Sequence, residues 1–313
     1  MKKLLVVYNT CGISGRSNFN GYRDSIHSIL LQDLDGVEVV LSSCLNNEGE
    51  IYMLQQEFGD RISYNSIHQK LPVSVTFNHT VEKCRKKLGD FEGYVFVDSG
   101  INFGNQTTAL SQFYELFKSE NYGMVAARTD DDAGFDDWFG TDVKGDSLFS
   151  AGHLEVPVGR AINLHVQIFS KDLVDTYVRP LPDIFAGQCM ESVFSFLCAA
   201  IQSKWIVHGD IILTHLTGMD GPSSGFLPHG WEAQGNKRWD HLFCVSESIE
   251  DIIGRGLELG MGYEENQQIA MHREDQFDEK GHCLNDELKN YIRDNLFLRP
   301  DQFDYSSINY SFI

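Results

Sequence analysis

The first hundred residues alternate between short apolar runs and longer amphipathic stretches, and this alternation predicts strands and helices in turn. Residues 4–8 form a continuous apolar run, which is typical of a strand buried on both faces. A helix is predicted over residues 22–34, because Ile26, Ile29 and Leu30 fall on one face at helical spacing. Further strands are predicted at residues 37–41, 61–64 and 94–97, and further helices at residues 50–58 and 74–88.

The second half begins with the same alternation and becomes helical towards the C-terminus. Its predicted strands lie at residues 123–127 and 163–169, followed by a closing strand pair at residues 205–207 and 211–214. Helices are predicted at residues 107–119 and 190–201, and again at residues 246–259, 264–272 and 285–295. The pattern therefore predicts a main domain over residues 1–220, and a mainly helical extension over residues 221–313 that packs on it.

Strands that alternate with helices form mostly parallel sheets with helices on both faces. We therefore predict an α/β fold with a central, mostly parallel mixed sheet, and 313 residues suffice for one large domain with an appendage. Ligands of such sheets bind outside the carboxyl ends of the strands. The loops that begin at Asn9, Ser42 and Asp98 are expected to open onto that edge.

The chain is strongly acidic, with a formal net charge of −20 and a pI near 4.8. Such a surface repels nucleic-acid backbones and anionic membranes, so neither is an expected partner. It also repels a nucleoside diphosphate. A phosphate site would therefore need a local remedy such as a metal ion, a helix N-terminus or basic side chains.

Cysteine usage and hydropathy both point to the cytoplasm. The seven cysteines are odd in number and contain no CxxC spacing, which fits reduced thiols better than a disulfide framework. The apolar run near the N-terminus is too short for a signal peptide and is interpreted as a strand. No apolar run approaches transmembrane length, so no integral membrane segment is expected.

Asp98 follows the predicted strand at residues 94–97 and precedes Ser99 and Gly100. A carboxylate at this position can bind ribose hydroxyls or hold a metal ion that bridges two phosphates. The plainer interpretation is an aspartate that caps the next turn. The tetrapeptide alone does not decide between these two roles.

Five segments of this chain occur in the order found in the GT-A glycosyltransferases, especially the inverting family 2. They are VVYNT at residues 6–10, SIHSILLQ at 25–32, EVV at 38–40, FNHT at 77–80 and VFVD at 95–98. The chain therefore resembles this family. The resemblance implies a GT-A fold, with residues 1–105 as the nucleotide-sugar half and residues 106–220 as the acceptor half. It also implies a donor site formed by Tyr8, Asn9, Thr10, Ser43, Asn78, Asp98 and Ser99.

Two residues in the second half match functional positions of the family. Glu191 stands where the family has a carboxylate at the start of an acceptor-side helix, which implies a general base for the acceptor hydroxyl. The plainer interpretation is a glutamate stabilised by the helix dipole. His215 ends the predicted strand at residues 211–214, and the resemblance implies that it ligates a metal or contacts the diphosphate. A lone histidine after a strand is otherwise usually structural.

The chain departs from the family at two donor-site positions. The family's second strand normally ends in two aspartates, one of which binds the base, whereas Ser42 and Ser43 stand here. Its acidic motif is usually Asp-x-Asp, whereas Gly100 replaces the second aspartate here. Two alternatives therefore stay open: a weaker site for a divalent metal, Mn²⁺ or Mg²⁺, at Asp98 and His215, and a metal-free site.

Several other segments have two interpretations. The acidic segment at residues 129–145 fits a solvated loop better than a metal cluster. Arg16, in the Gly-containing segment after the first strand, is a candidate phosphate contact, and the Gly-rich residues 218–225 are a candidate lid. Trp138, Trp231 and Trp239 fit either stacking on sugar rings or packing in the core.

The resemblance implies a glycosyltransferase that moves a sugar, with inversion, from a nucleoside-diphosphate sugar to a hydroxyl of a carbohydrate or other acceptor. Two alternatives stay open. A sugar nucleotidyltransferase shares the α/β core, but residues 9–21 match its Gly-rich, basic signature poorly. A non-catalytic nucleotide-sugar binding protein would tolerate the serines at the second strand and the missing second aspartate.

Overall fold

The structure is a computed structural model. It describes residues 2–11, 16–44, 48–68, 71, 73–120, 122–130, 153–156, 165–177, 181, 194, 197–198, 201–216 and 305–313.

The strands, in chain order, are β1 (Lys2–Cys11), β2 (Val37–Cys44), β3 (Ser63–Ile67), β4 (Phe91–Val97), β5 (Ile101–Asn102), β6 (Tyr122–Thr129), β7 (His153–Glu155), β8 (Val166–Ser170), β9 (Lys204–His215) and β10 (Tyr310–Phe312). The helices are α1 (Arg16–Leu30), α2 (Glu48–Phe58), α3 (Val73–Leu88), α4 (Ala109–Ser119) and α5 (Lys171–Tyr177).

The described strands form one sheet in the order β10-β3-β2-β1-β4-β8-β6-β9-β5, with β7 beside β9. β3, β2, β1 and β4 are parallel, and so are β6 and β9. β8 is antiparallel to both β4 and β6 and joins the two parallel groups. The predicted mixed, mostly parallel central sheet flanked by helices is confirmed.

The apolar run at the N-terminus packs on both faces of the sheet. Because successive side chains of a strand point to opposite faces, Val7 joins one core cluster with Phe77 of α3. Val6 joins the opposite cluster with Ile26 of α1 and Leu110 of α4. β2 and β4 flank β1 in the sheet, so this strand is covered on every side. This enclosure explains why its sequence is apolar without alternation.

The predicted strands of the first hundred residues are confirmed, with some shifts at their ends. β1, β2 and β4 each extend beyond their predicted ranges. β3 begins at Ser63 rather than at residue 61, because Gly59–Arg61 form a 3-10 turn that continues α2. α1 begins at Arg16 and ends at Leu30, earlier than the predicted range of residues 22–34 at both ends.

The prediction of a closing strand pair at residues 205–207 and 211–214 is wrong. These residues belong to the single strand β9, which pairs with β6 along its length. The register shifts where Ala127 pairs with His208 and the next residue, Arg128, pairs with Ile212. β9 has extra residues at this shift, which form an irregularity in the pairing. Gly209 and Asp210 lie among these residues, and in sequence they resemble a turn.

The described end of the chain is not helical. Tyr305–Ser307 form a 3-10 turn, and β10 pairs antiparallel with the edge strand β3. The predicted helices at residues 246–259, 264–272 and 285–295 lie outside the described residues, so they stay predictions. Residues 217–304 lie outside the described residues, so the predicted domain boundaries stay predictions. Of the predicted helix at residues 190–201, four residues are described: Phe194, Leu197 and Cys198 are helical and buried, whereas Ile201 lies in a turn and is half-buried.

Candidate functional site

The carboxyl ends of β1, β2 and β4 meet at one edge of the sheet, as the sequence predicted. Tyr8 of β1 pairs with Val97, the last residue of β4, and Thr10 pairs with Ser43 of β2. Asp98 follows directly on Val97. The residues predicted to bind the donor in β1, β2 and the Asp98 turn therefore share this edge.

Tyr8 stabilises the turn that carries Asp98. Its side chain is fully buried, and its hydroxyl accepts a hydrogen bond of 3.3 Å from the backbone N–H of Gly100. Burial raises the pKa of the Tyr8 hydroxyl, which therefore stays protonated. The ring of Tyr22 meets it edge to face at 6.3 Å between centroids. In this arrangement the predicted donor-binding tyrosine fixes the turn that carries Asp98.

Three buried side chains at this edge retain polar atoms without a hydrogen-bond partner among the described residues. They are Oδ1 of Asn9, Oγ1 of Thr10 and Oγ of Ser43. Asn9 uses its amide nitrogen, which donates to the backbone oxygens of Val7 at 3.1 Å and Val97 at 3.4 Å. A buried polar atom without a partner costs about 1–3 kcal/mol. A polar ligand that reaches such an atom at the ends of the strands supplies the missing hydrogen bond and gains binding free energy from it.

The side chain of Ser42 lies on the face of β2 opposite that of Ser43. It belongs to a buried polar network next to this edge of the sheet. Its hydroxyl lies 2.7 Å from Oγ1 of Thr80, and the Asn65 amide donates to the same Thr80 oxygen at 2.6 Å. The Asn65 amide also lies 3.2 Å from Nδ1 of His79. Burial lowers the pKa of His79 to about 4, so this imidazole is neutral near pH 7. This network is not visible in the sequence, because its members lie on three separate elements.

Asn78 of α3 is engaged with the backbone of the second half. Its side-chain amide donates to the carbonyl oxygen of Leu181, and its oxygen accepts from the Leu181 N–H at 3.3 Å. The side chain is 2% exposed. The structure therefore shows the predicted donor-site asparagine as a connection between α3 and residue 181.

Asp98 is held in a tight turn. Its N–H donates to the carbonyl of His165 at 2.8 Å, and its Oδ1 accepts from the N–H of Ser99 at 2.8 Å. Gly100 has a φ of +83°, a conformation that L-residues with a side chain rarely adopt. The carbonyl of Gly100 accepts from the N–H of Leu216 at 2.9 Å, which ties this turn to the end of β9.

His215 lies next to this turn, as the prediction of a shared site required. It ends β9 and pairs with Ile101 of β5. Its backbone N–H donates to Oδ1 of Asp130 at 2.8 Å. The ring centroids of His165 and His215 are 4.7 Å apart, and Nδ1 of His165 lies 3.7 Å from Oδ2 of Asp98. The structure therefore brings Asp98 and His215 together and adds His165 between them, a residue that the sequence analysis missed.

The side chains at the Asp98 turn include some of the ligand atoms that divalent cations prefer. Carboxylate oxygens are preferred ligands of Mn²⁺ and Mg²⁺, and imidazole nitrogen is a common ligand of transition metals. One third of the Asp98 side chain is exposed, with Oδ2 facing His165. Within the described part of the chain, no three His, Cys, Asp or Glu side chains are grouped closely enough to hold a metal ion. The metal site at Asp98 and His215 therefore stays a prediction.

Other predicted site residues fall outside the described residues or have undescribed side chains. Glu191, the three tryptophans at positions 138, 231 and 239, and the segments at residues 131–145 and 218–225 lie outside. Arg16 begins α1, but its side chain is not described. Within the described ranges, no helix combines the length and apolar character needed to cross a membrane.

The sequence matches no family model and no curated protein. The fold is similar to that of the mannosyltransferase PcManGT from Pyrobaculum calidifontis, solved with GDP-Man and Mn²⁺. The identity is 13%, the TM-score is 0.52, and the match covers 77% of this chain and 62% of that one. The chain thus spans about three fifths of that protein.

Two solved structures of S. aureus TarS 1-349 also match. One covers 68% of this chain and 60% of that one, at 14% identity and a TM-score of 0.49. The other, a complex with UDP, covers 93% of this chain and 91% of that one, at 12% identity and a TM-score of 0.47. The likeness to the mannosyltransferase, together with the strand order, shows that this chain has the GT-A fold predicted from its sequence.

Proposed function

We propose that this protein is a glycosyltransferase that moves a sugar from a nucleoside-diphosphate sugar to an acceptor hydroxyl, with inversion. The observation that carries the proposal is the edge formed by β1, β2 and the Asp98 turn. Asn9, Thr10 and Ser43 each have an unpartnered buried oxygen at this edge, and Asp98 directly follows the last residue of β4. The GT-A fold supports it, since the similar mannosyltransferase structure contains GDP-Man and Mn²⁺.

The edge offers separate groups for the parts of the donor. Hydroxyls of Thr10 and Ser43 can donate or accept hydrogen bonds, so they suit the base or ribose without adding negative charge. Asp98 can bind ribose hydroxyls or, with His215, hold a divalent cation. A bound cation would neutralise charge that develops on the leaving diphosphate. Without a cation, the imidazole of His165, which faces Asp98, and that of His215, which packs against it, could donate hydrogen bonds to the diphosphate.

Glu191 is assigned the proton transfer. Its carboxylate would accept the proton of the acceptor hydroxyl as the oxygen attacks the anomeric carbon and the bond to the diphosphate breaks. Attack from the side opposite the leaving group inverts the configuration. This assignment rests on the sequence resemblance, because Glu191 lies outside the described residues.

A thermal-shift panel of nucleotide sugars tests the proposal directly. UDP-, GDP-, CDP-, ADP- and dTDP-sugars would each be added with Mn²⁺, with Mg²⁺ and with a chelator. A ligand that binds the folded state at a hundred times its Kd stabilises it by about 2.7 kcal/mol, which gives a measurable rise in Tm. At least one donor should raise the Tm. A flat response across the panel would contradict the proposal.

A non-catalytic nucleotide-sugar binding protein is the second candidate, and Gly100 is the observation that favours it. The glycine removes the second carboxylate of the acidic motif, and its positive φ opposes any residue with a side chain at this position. Slow hydrolysis or transfer of the donor identified in the panel distinguishes the two functions. Binding without any turnover would favour the second candidate.

A further inference from the structure

His165 lies between the two residues predicted to hold the donor's diphosphate or its cation. Its backbone carbonyl accepts from the Asp98 N–H at 2.8 Å, and its Nδ1 lies 3.7 Å from Oδ2 of Asp98. Its ring packs at 4.7 Å against the ring of His215, with 40° between the planes. One residue therefore contacts both functional candidates, although it is far from each of them in sequence.

The contacts of the Asp98 carboxylate divide between two neighbours. Oδ1 is fixed by the N–H of Ser99, whereas Oδ2 faces the His165 imidazole at a distance longer than a hydrogen bond. The His165 side chain is 18% exposed, against 33% for Asp98, so the imidazole lies deeper than the carboxylate. Removing the His165 ring would remove the imidazole that Oδ2 of Asp98 faces. It would also remove a ring that packs against His215.

We propose that His165 is a positioning residue that sets the orientation of the Asp98 carboxylate and the His215 ring towards the diphosphate of the donor. This role rests on the proposed function. It is a second contribution to the same site, because the residue acts through Asp98 and His215. Residues that orient metal-binding or catalytic side chains typically change affinity or activity by 10- to 100-fold when replaced.

The test compares three substitutions that keep different parts of the imidazole. His165→Asn retains a polar atom near the Nδ1 position, His165→Gln places one near the Nε2 position, and His165→Ala removes both. The affinity for UDP and for GDP would be measured by isothermal titration calorimetry with Mn²⁺ at a fixed concentration. His165→Ala should weaken binding of the preferred nucleotide about tenfold. His165→Asn should recover most of the loss and His165→Gln little of it, because Nδ1 faces Asp98.

A matched control and a double variant separate positioning from general damage. His27→Ala removes an exposed histidine of α1 and should leave nucleotide affinity unchanged. In the Asp98→Asn background, adding His165→Ala should cost less affinity than it does in the wild type, because only the contribution through His215 remains. Additive losses, or no loss in His165→Ala, would overturn the positioning role.

Failure of this proposal is distinguishable from failure of the proposed function. If Asp98→Asn weakens nucleotide binding while His165→Ala does not, only the role of His165 is wrong. If Asp98→Asn also leaves the affinity for UDP and GDP unchanged, the donor site itself is misplaced. Thermal melts of each variant identify loss of folding, and in that case the comparison of His165→Asn with His165→Gln decides.

Discussion

Gly100 gives a physical reason for the missing carboxylate of the acidic motif. Its φ of +83° would cost a residue with a side chain about 1–2 kcal/mol. Both of its backbone polar groups are used, the N–H by the Tyr8 hydroxyl and the carbonyl by the N–H of Leu216. The turn is therefore built around a glycine, and Asp98 supplies its carboxylate.

Glu191→Gln tests the assignment of the general base. The amide keeps the size of the carboxylate but cannot accept a proton at neutral pH. We therefore expect kcat for sugar transfer to fall about 100-fold or more, with the KM for the donor nearly unchanged. Transfer would be followed by release of the nucleoside diphosphate. The matched control is Glu115→Gln on the exposed face of α4, which should retain full activity. Full-rate transfer by Glu191→Gln would contradict the assignment.

His79 makes stability depend on pH in a defined direction. Burial, and next the positive charge of Lys83, lower its pKa from 6.5 to about 4 in the folded protein. The unfolded chain therefore binds more protons between these values, so the free energy of unfolding falls as the pH drops from about 6.5 to about 4. A shift of this size corresponds to about 3 kcal/mol when the range is fully crossed.

Urea denaturation of the wild type and of His79→Gln, at pH 7 and at pH 5, measures this contribution. The uncharged glutamine removes the titration, so the stability difference between the two pH values should be smaller in the variant. His68→Gln is the matched control, because His68 is exposed and its ring contacts Ser311 at the surface. Equal pH dependence of wild type and His79→Gln would show that His79 does not titrate in this way.

The elements that the sequence predicted best are those whose burial is decided locally. β1, β2 and β4 are apolar without alternation, since they lie inside a parallel sheet, and each was predicted near its observed position. β9 was divided in two because Gly209 and Asp210 resemble a turn, although pairing with β6 carries the strand through them. Pairing between distant segments leaves no such local signal.

The candidate site likewise contains residues that local sequence signals revealed and residues that they did not. Asp98 and His215 were predicted because each ends a strand that the pattern reveals. His165 and Asn65 were missed because neighbours from other elements give them their roles. Asn78 was named as a donor-site residue from the resemblance, but its bonds to Leu181 are not visible in the sequence.

β10 and the turn before it are expected to stabilise the nucleotide half. Tyr305 and Ile308 pack in a cluster with Ile67 and Val75, and β10 covers the edge of β3. Tyr305→Ala should therefore lower the free energy of unfolding by about 3 kcal/mol, as for other large-to-small changes of buried aromatic residues. Urea denaturation measures the change. Tyr52→Ala on α2 is the control, since Tyr52 is 60% exposed and should change stability by about 0.5 kcal/mol or less. Equal effects would show that Tyr305 is not packed as described.

The charge of the whole molecule should control how the donor approaches. A net charge of −20 creates a negative potential around the protein, and a nucleoside diphosphate is itself an anion. At about 10 mM ionic strength this repulsion reaches about 30 Å, whereas at about 150 mM it is screened beyond about 8 Å. Association of the nucleotide should therefore become faster as salt is added, which is opposite to the behaviour of basic phosphate-binding proteins.

Stopped-flow measurement of UDP and GDP association, without divalent ions, tests this prediction. Raising NaCl from about 10 mM to about 150 mM should increase the association rate constant several-fold, because long-range repulsion is removed while contacts at the edge are retained. Uridine and guanosine carry no charge, so their association should not change. A rate that falls with salt would mean that positive charge near the site outweighs the acidic surface.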